Sequence, residues 1–191
     1  PWATAQRASA AHSTLIVDDT NSTDFTESGP DRRVSRQISC GRESSVGNIW
    51  LDAAHDGYQA NFGLEHRRRL YLAANGDDLR GEDILSRNGD GTLRAREFVI
   101  RFHLHPDVNA TLAGDGSLAI LSLPGGEKWR LRATGATMSL GETVYLGATE
   151  RMMRSQQVVL GGQIVTEGET VAEVKWALGR LDNNSTVDSS S

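Results

Sequence analysis

The sequence predicts an all-β chain, a large antiparallel β-sandwich of about a dozen strands, and three observations lead there. Twenty glycines stand against four prolines, and Asn-Gly, Asp-Gly, Pro-Gly and Gly-Gly pairs cut the chain into short apolar runs, the punctuation of a sheet with tight turns. Within those runs apolar and polar residues alternate with period two, most cleanly in FVIRFHLHP from Phe98 to Pro106, as a half-buried strand requires. Around Asn75-Gly76 the same alternation continues on both sides of a pair suited to a two-residue type I′ turn, which reads as a hairpin.

A chain of 191 residues is long enough for one sizeable core, so a single domain is expected over residues 1–181, followed by a disordered tail at 182–191, DNNSTVDSSS, with no apolar content to bury. The net charge of −5 supplies no general attraction to nucleic acid or to an anionic membrane, so neither partner is expected, and an anionic substrate needs local arginines. No apolar run approaches the roughly 20 residues of a membrane-spanning helix. Cys40 is the sole cysteine, which excludes an intrachain disulfide and leaves the compartment open. Because the chain opens on Pro1 within sequence that reads as ordered, it is expected to be a piece of a longer protein.

In chain order, PWATAQRASAA reads as an irregular or helical lead-in, and HSTLIVDD as the first strand with His12 at its mouth. TNSTDFTESGPDRR reads as a surface loop, with Asp18 and Asp19 as turn residues. Arg33–Cys40 and Asn48–His55 are expected to be strands, the second placing Ile49, Leu51, Ala53 and His55 on one face. Asp56-Gly57 is read as a turn, with Tyr58 and Phe62 packing over a sheet edge. In the hairpin, partners sum to 151, so Leu72 faces Leu79, Leu70 faces Gly81, Arg69 faces Glu82 and Arg68 faces Asp83. That register puts the Arg68–Asp83 pair at the border of an apolar face, with His66 one step beyond.

RNGDGTLR lacks the ligand series of a calcium loop and is read as a turn. In FVIRFHLHP the inward face is Phe98, Ile100, Phe102 and Leu104, and the other carries Val99, Arg101, His103 and His105. VNATLA, SLAILSL and EKWRLRA follow as an antiparallel meander, with Trp129, Leu131 and Ala133 on a dry face and Lys128, Arg130 and Arg132 on a wet one. TVYLG, SQQVVLGG and, after a TEGET turn, the closing strand VAEVKWALGRL complete the series. Trp129 and Trp176 both fall in strand patterns, so no platform for stacking sugar rings is evident.

HDGY, then FGLEHRRRL, DDLRGEDIL and FVIRFHLHP, in that order between Trp2 and Leu181, resemble the C-terminal region of heparinase II/III-like proteins. The resemblance implies a β-sandwich that follows an α/α toroid domain in polysaccharide lyases or their relatives, and an acidic polysaccharide as partner beside that toroid. It implies β-elimination at a uronic acid by the intact protein, with the catalytic groups mainly upstream, so no residue here is assigned as catalytic and this piece alone is expected to be inactive. His55, His66 and Arg68 are the candidate substrate-binding residues on the sandwich side of the cleft. His12 is the candidate ligand of a structural zinc in the intact protein, with co-ligands upstream, and no cofactor is expected for the piece alone. A periplasmic or secreted location is what the resemblance offers for a compartment the residues leave unknown. The alternative is a non-catalytic sandwich that binds carbohydrate or packs against other domains.

Overall fold

The computed structural model describes residues 7–24, 35–89, 93–147 and 152–181. Among them are twelve strands in two antiparallel sheets. They run β1 (Leu15–Val17), β2 (Ile38–Ser45), β3 (Asn48–Tyr58), β4 (Leu64–Leu72), β5 (Asp78–Arg87), β6 (Glu97–His103), β7 (Asn109–Ala113), β8 (Leu118–Ser122), β9 (Lys128–Thr134), β10 (Thr137–Leu146), β11 (Met152–Gln163) and β12 (Thr170–Leu181). A 3-10 turn at Ser9–Ala11 precedes β1, and a single helical turn, α1 (Gln59–Phe62), joins β3 to β4. The smaller sheet has the order β1-β6-β11-β10, and the larger β2-β3-β4-β5-β12-β9-β8-β7. The expected sandwich is what forms, and β7, β8 and β9 are the expected meander.

The core lies between the sheets. Phe98, Ile100, Val158 and Leu160 enter from the smaller sheet, and Leu64, Leu85, Leu131, Val174 and Trp176 from the larger. Burial follows the period-two pattern: Phe98 and Ile100 are buried while Glu97, Val99 and Arg101 are less so. On β9 Leu131 is buried and Lys128 and Arg132 are exposed.

The hairpin register holds residue for residue, with Leu72↔Leu79, Leu70↔Gly81, Arg69↔Glu82 and Arg68↔Asp83. Its turn differs from expectation. The Ala73 N–H donates to Asp78 O and the Gly76 N–H to Ala73 O, and Gly76 but not Asn75 takes positive φ, giving a four-residue loop rather than a type I′ pair. Positive φ at two successive loop residues occurs instead at Asp18-Asp19, as φ 43 and 51, and at Val46-Gly47, as φ 49 and 81, matching the twist of the flanking strands. The strand expected at Arg33–Cys40 lies further on, as β2, paired with β3 through Ile38↔His55 to Ser45↔Asn48.

Two β-bulges replace simpler readings. Asp56-Gly57 is no turn: β3 continues to Tyr58, with a register shift between His55 and Tyr58, and Tyr58 is fully buried rather than at an edge. A second shift between Thr170 and Ala172 turns Val171 inward beside Val174 and Trp176, where unbroken alternation along VAEVKWALGRL would set it on the face opposite theirs. The lead-in before Arg7, most of the polar loop, the centre of RNGDGTLR and the 182–191 tail lie outside the described residues.

Candidate functional site

Four of the polar residues singled out above, His55, His66, Arg68 and Asp83, converge on the inner face of the larger sheet, where three neighbouring strands each contribute one link. The register sets His55 of β3 opposite His66 of β4 and Arg68 opposite Asp83 of β5, all on the face that carries Leu85 and Leu70. At the β3 bulge the Gly57 N–H donates to His55 Nδ1 at 3.1 Å. That acceptor role leaves the proton on Nε2, which donates to His66 Nδ1 at 3.2 Å. His66 in turn must carry its proton on Nε2, which donates to Asp83 Oδ1 at 2.7 Å. A directed chain of hydrogen bonds thus runs from a backbone amide through two imidazoles to a carboxylate.

Asp83 is 1% exposed and His66 3%, a burial tolerated because every polar atom is engaged. Asp83 Oδ1 also accepts from Arg68 Nε at 2.7 Å, while Oδ2 accepts from Arg68 Nη2 at 3.0 Å and from the Trp176 indole N–H at 2.9 Å. Burial alone would raise the Asp83 pKa, but the His66 hydrogen bond and the Arg68 charge overturn it and hold the carboxyl below its ordinary range,. His55 is pushed down to about 4, first by burial and then by the neighbouring His66. A group so weakly basic is a poor proton acceptor at neutral pH and a good neutral hydrogen-bonding partner.

This seam also grips the segment that bears His12. Arg68 Nη1 donates to Ser13 O at 2.6 Å, and the Tyr58 hydroxyl to Leu15 O at 2.8 Å. From the smaller sheet, His103 Nε2 donates to Ala10 O at 3.0 Å, and Nδ1 accepts from the Thr143 hydroxyl at 3.0 Å. Side chains on both sheets therefore fix the carbonyls on both sides of His12, whose own ring is exposed. Among the described residues no three potential ligands come together as a metal site, so these residues do not by themselves fit a zinc.

The arrangement brings together His55, His66 and Arg68, with His55 at the half-buried end of the chain. His12 stands apart from them, beyond Ser13. Two members escaped sequence reasoning. Trp176, read as one more strand residue, reaches Asp83 from β12, and Tyr58 reaches β1. The signal for the first was Gly81, a lone glycine inside a strand: a Cβ there would come within 2.1 Å of the Trp176 indole, so the glycine marks a close approach.

A family model described as heparinase II/III-like, C-terminal, matches residues 1–177. The chain belongs to this family. The heparan sulfate lyase of Pedobacter heparinus is a similar solved structure, with a TM-score of 0.70 and 13% identity over 96% of this chain and 26% of the lyase. A heparinase III structure aligns with a TM-score of 0.68 and 14% identity over 97% of this chain and 25% of its own. In sequence, the FtsZ-localized protein C of Caulobacter vibrioides is 42% identical over 102 residues, half of this chain and 18% of that protein. The chain thus spans about a quarter or less of these relatives. The structural likeness, at this identity, establishes the fold, and the heparinase-like sandwich is the part it covers.

Proposed function

We propose that this heparinase-like sandwich is the C-terminal module of a polysaccharide lyase that cleaves uronic-acid-containing polysaccharide by β-elimination. The observation that carries the reading is the family match over residues 1–177, supported by the likeness to a heparan sulfate lyase along nearly the whole chain. In such an elimination a base removes the proton α to the uronate carboxylate, the charge spreading onto that carboxylate is neutralised, and the glycosidic oxygen departs with the electron pair. An upstream toroid supplies base and neutraliser in this proposal. Of the three expected substrate-binding residues, His55 and Arg68 form the sandwich side of the cleft and His55 meets the acidic sugar, while His66, 3% exposed and engaged by Asp83, acts only by holding the His55 ring in place. His12 joins as one ligand of a structural zinc completed by upstream residues, an assignment removed by equal zinc content in the intact wild-type and His12→Ala proteins.

The experiment incubates the intact protein and this chain separately with heparan sulfate, alginate and other uronate polymers, and follows the ultraviolet absorbance of the unsaturated product. Turnover by the intact protein and none by this chain is the expected result. Turnover by this chain alone, abolished in His55→Ala, would move the active site into the sandwich. The name of the Caulobacter relative favours a second reading, in which the fold is retained while the lyase activity is not, and the module serves localisation with FtsZ. An intact protein inert on every uronate polymer yet co-localising with FtsZ would establish that second reading.

A further inference from the structure

The opposite, outer face of the larger sheet carries a second arrangement that the hydrogen-bonded seam does not use. The registers align Trp50, Tyr71, Arg80, Ala177 and Arg132 as one cross-strand row over β3, β4, β5, β12 and β9. With strands about 4.8 Å apart, this row is about 19 Å long. It lies along a groove of about 450 Å³. At one end the Trp50 and Tyr71 rings are 5.4 Å apart, and the Arg80 guanidinium covers Tyr71 at 5.7 Å, leaving Trp50, 40% exposed, to offer its ring to a ligand. The small side chain of Ala177 keeps the middle low.

Charge is distributed unequally along the groove. Next to the row, Arg69 and Lys175 are shared by Glu82, Asp52 and Glu173, and Arg80 is paired with Asp78, so these cations are largely neutralised. Arg132 is different: it is exposed, no carboxylate among the described residues pairs with it, and Arg130 and Lys128 continue the same face of β9. An unneutralised cationic strand therefore lies across a short trough from an exposed indole, in a chain whose net charge is −5.

We propose that this groove binds a segment of acidic polysaccharide, with a sugar ring stacked on Trp50 and a carboxylate or sulfate two or three units along held by the Arg132 guanidinium. Five of the sheet's inner strands form the floor, and their backbone donors and acceptors are consumed by neighbouring strands, so a peptide cannot add as an extra strand here. The apolar anchors for an amphipathic helix are also few. What remains is recognition by ring faces and fixed positive charge, which a polymer of anionic rings matches. This site is on the far side of the sheet from His55, and the inference stands whether or not the intact protein eliminates.

The test is calorimetric binding of this chain to a heparan sulfate tetrasaccharide, a neutral chitin tetrasaccharide and a deca-glutamate peptide, at low and raised salt. The expected result is binding of the acidic tetrasaccharide that weakens with salt, falls about tenfold in both Trp50→Ala and Arg132→Gln, and is largely restored in Trp50→Phe. These side chains are on the surface, and unchanged thermal unfolding of each variant confirms that it folds. Equal binding by the variants and the wild type would overturn the proposal. So would equal affinity for the neutral sugar, tighter binding of the peptide, or no binding of the acidic tetrasaccharide at all.

Discussion

The Asp83 carboxylate accepts four hydrogen bonds in a buried site, so removing it strands Arg68, His66 and the Trp176 indole at once. Asp83→Ala is expected to destabilise by about 3–5 kcal/mol, the range for breaking one side of a buried charge pair. Its sequence neighbour Glu82 engages Arg69 and Lys175 on the outer face, where pairs contribute about 0–1 kcal/mol, and Glu82→Ala should fall in that range. Urea denaturation of the two variants measures the contrast, and similar losses would remove the distinction between the faces. His55 gives the seam a pH dependence. Its pKa of about 4 in the fold is below its ordinary 6.5, so the unfolded chain binds more protons between those values. Stability therefore falls as the pH drops from above 6.5 towards 4, by roughly 3 kcal/mol in full. Asp83, with its lowered pKa, extends the loss in the same direction at more acid pH. Urea midpoints across this range should flatten in His55→Gln, with a remainder owed to His103, which burial also lowers. An undiminished slope would show that His55 is protonated in the fold.

Trp176 of β12 lies against Gly81 of β5, its cross-strand partner, edge-on to Phe102 at 4.9 Å, and this contact binds elements as well as residues. Gly81→Ala would drive a methyl into the indole, displacing it from Phe102 and from Asp83 together, and is expected to cost about 2–4 kcal/mol. Gly125, in an open turn where a Cβ meets nothing within 4 Å, should tolerate alanine within about 0.5 kcal/mol. Chemical denaturation measures both, and near-ultraviolet circular dichroism reports the Trp176 environment. The hairpin was legible at this scale because leucines and opposite charges alternate along both arms, so a one-residue slip would turn every leucine outward. Its loop was not, since either a two-residue or a four-residue connection preserves the sum of 151. The bulges were hidden for a related reason: an extra residue changes which side of the alternation is inward, and HDGY and TVAE carry no composition that announces it.

Across the whole molecule, what could be read were the strands and the local pairings, the meander and the β4–β5 hairpin. The two-sheet partition could not be read, because β1, β6 and the β10–β11 pair are separated from one another by strands of the larger sheet, and only burial against a common core brings them together. The candidate site divides along the same line. Arg68–Asp83 follows from a short-range register, whereas Trp176 is 93 residues from Asp83 and the Trp50–Arg132 row requires knowing that β12 lies between β5 and β9. That placement also bears on how the chain is made. β12 follows the eleven other strands, yet it occupies an inner position of the larger sheet. On the ribosome, β5 and β9 must therefore wait as two open edges until residues 170–181 emerge, and the Asp83 carboxylate waits with them for its indole. A chain halted before Thr170 would be left with two half-sheets and unsatisfied edges, the form that chaperones and proteases recognise first.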